Sequence, residues 1–111
     1  MVSDDYPRRG EIWLANLDPT EGSEIRKTWP CLIISPDSMN ANLRTITAMP
    51  LTSGSHPAPF RVPVQVEGRD GLLLADQIRT LARRRLRKRI GVLNAETLDS
   101  ALAVLREMFE E

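Results

Sequence analysis

The chain has 111 residues and no formal net charge, because fifteen Lys and Arg residues balance fifteen Asp and Glu residues. This length suits one domain, residues 1–111, which can fold without a metal or a disulfide framework. A single cysteine excludes an internal disulfide. Because the chain also has only one histidine, a transition-metal site is unexpected. No apolar run approaches the ~20 residues of a membrane span, and no secretory signal opens the chain. We therefore expect a soluble protein of a reducing cytoplasm.

The first predicted strand covers residues 11–17 and follows Gly10. Turn-forming residues from Asp18 to Gly22 end this strand. From there to Thr28 the chain is charged and lacks periodicity. This pattern predicts an exposed loop of about ten residues, which is longer than most hairpin connections.

Two apolar runs follow, and we predict that residues 30–35 and 43–51 form neighbouring core strands. The first run is continuously apolar, which indicates burial on both faces and makes Cys31 a small buried hydrophobe. The polar connection 36–42 has room for one helical turn. Residues 26–29 and Thr52–Ser53 are then expected side by side at one edge of the sheet. That edge is the candidate site.

The second half of the chain predicts further short strands after an irregular loop at 53–59. In residues 60–66 large apolar side chains recur at every second position, so this strand has one buried face, and Pro63 places it at an edge or a bulge. The remaining segments are a turn at 67–71, strands at 72–75 and 76–81, a helical turn at 82–85 and a last strand at 86–93.

A helix is predicted from Ala95 to about Glu110, with Asn94 as its N-cap. Its apolar side chains repeat at helical spacing and should pack against the sheet or a partner. They are Leu98, Leu102, Leu105 and Phe109, flanked by Ala101 and Met108. Five to seven short strands with one closing helix indicate a small, strongly curved sheet or barrel.

Seven of the fifteen basic residues lie between Arg79 and Arg89, a segment that contains no acid. This segment could be a solvated surface that acids elsewhere in the chain balance. It could equally be a face that contacts phosphates, which supply most of the affinity in nucleic-acid binding. Charge alone does not separate the two interpretations.

Four other residues permit both a structural and a functional interpretation. His56 could be a general base near neutral pH or an exposed loop histidine. Glu24 could be a base, an orienting group or a solvated loop carboxylate. Trp29 could be a hydrophobic lid or a platform on which a base stacks, and Thr52 could be an ordinary strand-end threonine. The residues by themselves indicate a small β-rich domain with a polar edge.

Five motifs, in order and over nearly the whole chain, resemble those of the MazF/PemK family of toxin endoribonucleases. They are Arg9–Trp13, Asp18–Glu24, Pro30–Ser35, Pro50–Ser53 and Ala75–Thr80. The resemblance implies a mainly β (α+β) fold, a small SH3-like barrel of the type shared with CcdB, with a C-terminal helix. It also implies a bacterial, cytoplasmic homodimer that cleaves single-stranded mRNA sequence-specifically without metal or cofactor. A small cognate antitoxin would neutralise it by placing a disordered tail in the RNA groove.

In this family the ribose 2′-hydroxyl is the nucleophile, and cleavage leaves a 2′,3′-cyclic phosphate and a 5′-hydroxyl. An arginine before the proline of the second strand and a threonine after the third strand carry most of this chemistry; the two positions correspond to Trp29 and Thr52 here. The resemblance further implies an RNA groove lined by Glu24, Arg26, Lys27, Thr28, Ser53, His56, Phe60 and Gln77.

The tryptophan at position 29 is the main departure from the family. An indole offers one neutral N–H and cannot replace the charge or the bidentate contacts of a guanidinium. We therefore predict strongly reduced ribonuclease activity, unless Arg26 or Lys27 partly substitutes.

Two alternatives stay open. The first is a non-catalytic protein on the same fold that binds RNA or antitoxin, which would shift RNA on a gel without cleaving it. The second is a relative that poisons gyrase through its C-terminal helix. Those relatives end in a tryptophan-containing tail, whereas this chain ends in Met108–Glu111, which disfavours that alternative. Dimerisation is expected through the sheet edge and the C-terminal helix.

Overall fold

The computed structural model describes residues 5–17, 28–54 and 56–111. Within them, seven antiparallel strands form one curled sheet with a C-terminal helix, so the predicted mainly β class is confirmed. The strands are β1 (Glu11–Asn16), β2 (Thr28–Ile33), β3 (Thr45–Thr52), β4 (Arg61–Val66), β5 (Arg69–Leu74), β6 (Arg79–Ala82) and β7 (Leu86–Val92). The helices are α1 (Asp37–Asn42) and α2 (Ala95–Met108). The order across the sheet is β4-β5-β3-β2-β1-β7, and β6 pairs with the first half of β3.

The sheet buries apolar side chains on both faces. Leu32 and Met49 belong to a cluster on the face that α2 covers, whereas Cys31 and Ile33 belong to a cluster on the other face. Cys31, Leu32 and Ile33 are all fully buried. This confirms the burial that the continuous apolarity of the second strand predicts.

Helix α2 closes the first cluster. The Thr97 N–H donates to Asn94 Oδ1 at 2.8 Å, which confirms Asn94 as the N-cap. Ala101 is fully buried, and partly buried leucines of the helix pack around it. The predicted stripe is wrong at its end, because α2 stops at Met108 and Phe109 is 73% exposed. No helix among the described residues has the length and apolarity to cross a membrane.

Several strand bounds differ from the prediction. Strand β2 begins at Thr28 rather than Pro30, so Trp29 lies within a strand instead of a loop. Strand β3 runs through Thr52. The predicted strand at 76–81 is wrong in its first half, because Ala75–Gln77 form a 3₁₀ turn before β6 begins.

The hairpin between β4 and β5 is also tighter than the sequence suggests. Glu67 and Gly68 both have positive φ angles, 52° and 76°, which is the geometry of a two-residue type I′ turn. Strand β5 therefore starts at Arg69 within the predicted turn. On β4, Val62 and Val64 are buried as predicted, and the strand lies at the sheet edge that Pro63 indicates. Phe60 precedes the strand and is 39% exposed rather than buried.

Candidate functional site

The ladder between β2 and β3 stops before either strand ends. Its last pair is Cys31 with Pro50. Proline has no backbone N–H, so neither Pro50 in this last pair nor Pro30 in the next position can donate a hydrogen bond that would extend the ladder. The sheet consequently opens at this point.

Beyond the opening, each strand stays attached on its outer side. Trp29 pairs with Ala15 of β1, and Thr52 pairs with Leu72 of β5. Continuing the β2–β3 register by two residues would set Trp29 opposite Thr52. The two residues instead border a groove whose walls are held by the rest of the sheet.

The groove consists of two hollows that share Trp29, Leu51 and Thr52. The first hollow has a volume of about 660 Å³ and the second about 260 Å³. The first is completed by Leu17, Pro50, Leu74, Gln77 and Arg79. The second is completed by Leu14, Pro30, Ser53, Val66, Glu67, Arg69, Asp70 and Ile90.

Thr52 is half-buried, and its hydroxyl is oriented from within the chain. The Gly54 N–H donates to Thr52 Oγ1 at 3.2 Å, so the hydroxyl keeps its own hydrogen for donation. Gly71 lets β5 pack closely here, because a Cβ at that position would lie 2.9 Å from Leu51 Cδ2 and 3.2 Å from the Thr52 carbonyl oxygen. The backbone that carries Thr52 is thus held by close packing.

The other residues that the resemblance assigns to the groove are distributed unevenly. Gln77 lines the first hollow, Ser53 lines the second, and Trp29 is 51% exposed between them. Thr28 begins β2 and lines neither hollow. Glu24, Arg26 and Lys27 lie outside the described residues.

His56 and Phe60 line neither hollow. His56 is exposed, and its backbone carbonyl oxygen accepts a hydrogen bond from Arg61 Nη1 at 3.3 Å. The Arg61 guanidinium also lies 5.6 Å from the centre of the Phe60 ring. The structure thus places both residues around Arg61 rather than beside Thr52.

The basic segment divides into arginines that hold the fold and one that lines the groove. Arg83, Arg85 and Arg87 donate to backbone carbonyl oxygens, and Arg89 binds the Glu11 carboxylate at 3.0 Å. Arg79 lines the first hollow. Sequence reasoning missed Arg79 as a site residue because it treated the segment as one block. Its position two residues after Gln77 would put both on one side only in an extended chain, whereas Gln77 ends the 3₁₀ turn Ala75–Gln77. No local signal therefore identifies Arg79.

The two hollows differ in charge. Arg79 is the charged side chain among the described residues of the first hollow, whereas Glu67 and Asp70 place two carboxylates beside Arg69 in the second. Burial raises the pKa of the Cys31 thiol to about 12, and the positive charge of Arg79 opposes this rise. The described residues contain no group of three or more His, Cys, Asp or Glu side chains that could hold a metal ion.

Comparisons of the sequence with protein families and with individual proteins indicate the same family. Residues 8–109 match the family described as PemK-like, MazF-like toxin of type II toxin-antitoxin system. The chain is 32% identical to the endoribonuclease MazF of Staphylococcus epidermidis in an alignment 106 residues long, which covers 87% of this chain and 88% of that protein.

Solved structures agree. A crystal structure of MazF from Deinococcus radiodurans is similar, with a TM-score of 0.79, 29% identity and coverage of 95% of this chain and 97% of that one. A MazE-MazF structure from the same organism has a TM-score of 0.75 and 27% identity, and covers 95% of this chain and 96% of that one.

Proposed function

Because the chain belongs to the PemK-like, MazF-like toxin family of type II toxin-antitoxin systems, we propose that it is a metal-independent endoribonuclease that cleaves single-stranded mRNA beside Thr52. The opening of the sheet between Trp29 and Thr52 is the observation that carries this proposal, since it leaves a hydroxyl group at the wall of an open groove. The similarity to an endoribonuclease of Staphylococcus epidermidis supports it. The relatives are bacterial, and the same proposal places this chain in a bacterial cytoplasm.

The proposed reaction is an internal transesterification. The ribose 2′-oxygen forms a bond to phosphorus while the bond from phosphorus to the 5′-oxygen breaks. A base accepts the 2′-proton, and a proton is delivered to the leaving 5′-oxygen. The Thr52 hydroxyl, which already accepts a hydrogen bond from Gly54, donates to a phosphoryl oxygen as charge develops there. The products are a 2′,3′-cyclic phosphate and a 5′-hydroxyl.

Trp29 has a role in this proposal that differs from the hydrogen-bonding role of Thr52. Its half-exposed indole at the boundary of the two hollows offers a face on which a base can stack. The indole contributes no positive charge to the phosphate. We therefore propose that catalysis is attenuated, because losing a principal transition-state donor typically costs on the order of a hundredfold in rate.

The partner that the family implies is a cognate antitoxin protein. A MazE-MazF structure is among the similar solved structures, and the groove offers an extended peptide both apolar side chains and backbone that β2 and β3 leave unpaired. We propose that an antitoxin segment occupies this groove and competes with RNA. A homodimer remains part of the proposal, with the edge strand β7 and the end of α2 as its expected contacts.

The test is incubation of the purified chain with a long single-stranded RNA, followed by chemical mapping of the product ends. We expect slow cleavage at a limited set of sites, with 5′-hydroxyl and 2′,3′-cyclic phosphate ends. Products with 5′-phosphate ends would contradict the proposed chemistry.

A non-catalytic RNA-binding protein is the second candidate, and the uncharged side chain at position 29 favours it. Incubation of the same purified protein with RNA distinguishes the two candidate functions. A shifted RNA band without any cleavage, even at high protein concentration, would support this candidate over the first.

A further inference from the structure

Arg79 occupies a defined place on the sheet. It opens β6, and its Cα pairs with Ala48 of β3, which in turn pairs with Ile33 of β2. Paired residues of neighbouring strands share a face, so Arg79 lies on the face that carries Cys31 and Ile33. From there its side chain lines the first hollow together with Trp29 and Thr52.

Among the residues that the structure describes, none holds the Arg79 side chain in place. It is exposed and makes no hydrogen bond or ion pair with any other residue that the structure describes. The nearest acid in sequence, Asp76, instead faces Arg61, whose Nε lies 3.6 Å from Asp76 Oδ1. This distinguishes Arg79 from Arg83 and Arg89, whose guanidinium groups bind protein groups.

The Arg79 guanidinium lines the first hollow, close enough to the buried Cys31 thiol for its charge to affect that group. It opposes the effect of burial on the pKa of Cys31, a residue of the last β2–β3 pair beside the opening. The second hollow is less suitable for a phosphate because its two carboxylates, Glu67 and Asp70, outnumber its one guanidinium, Arg69. A phosphodiester chain passing Thr52 is therefore drawn toward the first hollow.

We propose that the Arg79 guanidinium binds an RNA phosphate in the first hollow. This inference rests on the proposed endoribonuclease function and deepens it. A guanidinium is suited to the role because its planar N–H groups match two phosphate oxygens at once. The arginines of the basic segment then have two different roles. Arg79 contacts RNA, whereas Arg83, Arg85, Arg87 and Arg89 stabilise the protein.

The test compares Arg79→Gln with Arg87→Gln. Both variants remove one positive charge from the same segment, but Arg87 is exposed on β7 and lines neither hollow. The probe is a short single-stranded RNA whose riboses are all 2′-O-methylated, so it cannot be cleaved. Its dissociation constant is measured over a range of salt concentrations, and thermal unfolding checks that both variants fold.

We expect Arg79→Gln to weaken binding about tenfold, the effect of losing one charge-assisted contact. The slope of log affinity against log salt should fall by about 0.7, the value for one phosphate on a single strand. Arg87→Gln should leave the affinity and the slope close to those of the parent chain, and Arg79→Lys should restore part of both.

Equal effects of the two glutamine variants, with the parent binding RNA, would overturn the inference and leave the proposed function intact. A parent chain that neither binds nor cleaves RNA would overturn both. If Arg79→Gln weakens binding without changing the salt slope, its effect is not a phosphate contact, and the inference is overturned in the same way.

Discussion

Thr52 shows how the backbone gives an ordinary side chain a chemical role. It ends β3, where one neighbouring strand is paired and the other is not. The Gly54 N–H donates to its hydroxyl oxygen, and Thr52 lines both hollows of the groove. The residue is thus held with its hydroxyl available for donation.

Replacing Thr52 with alanine removes that donor while leaving the strand in place. We expect the RNA cleavage rate to fall about a hundredfold, the usual cost of one lost transition-state donor. Thr52→Ser keeps the hydroxyl and should retain most of the activity. The measurement is the initial rate on a fluorescent RNA substrate, with the unfolding midpoints of both variants as the folding control. Equal rates for alanine and serine would show that the hydroxyl has no part in the reaction.

Sequence reasoning found some residues of the site and missed others for a physical reason. Thr52 and Trp29 were identified through the family motifs, and their shared edge followed from the order of two core strands. Arg79 was not identified, because its position depends on the 3₁₀ turn that brings β6 beside β3. A local sequence pattern does not reveal such a long-range arrangement.

At the scale of elements, the Glu11 carboxylate joins β1 to β7. It accepts hydrogen bonds from the Arg8 N–H at 2.8 Å, from Trp13 Nε1 at 3.0 Å and from Arg89 Nη1 at 3.0 Å. Burial acts to raise the pKa of this carboxyl, but the three hydrogen bonds and the charge of Arg89 outweigh it and lower the pKa below the ordinary 4.5. The ionised form is therefore favoured by folding.

A group with a lowered pKa in the folded state stabilises the fold above its unfolded pKa, and this contribution is lost as the pH falls through the folded value. We expect Glu11→Gln to lower the free energy of unfolding by about 1–2 kcal/mol at neutral pH. The difference from the parent should shrink as the pH is lowered through 4.5. Urea unfolding at several pH values measures this. A difference that stays constant with pH would mean that the carboxylate charge makes no contribution.

The start of the second strand is an element bound that the sequence pattern does not predict correctly. The continuous apolar run begins at Pro30, so the sequence predicts that the second strand begins there. The structure continues β2 back to Thr28, because β1 pairs with it on the side away from β3. The β2–β3 ladder stops at Cys31 and Pro50, and this end of the ladder is visible only from the pairing of three strands.

At the scale of the whole molecule, a chain without net charge presents a groove of uneven charge. Positive and negative groups balance over the sequence, yet the first hollow carries Arg79 and the second carries two carboxylates. The overall fold was predictable, because strand alternation and the helical stripe describe local burial. The division of the groove into two hollows of different charge was not, since it depends on the curl of the sheet and on where its ladder stops.

The surfaces expected to form a homodimer are also features of the whole molecule. Strand β7 is an edge of the sheet, with Val92 68% exposed, and Phe109 is exposed beyond the end of α2. These apolar side chains are available to a second copy. The homodimer stays a prediction that follows from the family.

The most direct test of the account is the cleavage rate of Trp29→Arg relative to the parent chain on one single-stranded RNA. The variant introduces a guanidinium at the wall of both hollows, beside Thr52. We predict a rate increase of about a hundredfold with unchanged product ends, because a positive charge then stabilises the phosphoryl oxygens in the transition state. An unchanged rate in a folded variant would contradict the claim that the groove between Trp29 and Thr52 is an attenuated ribonuclease site.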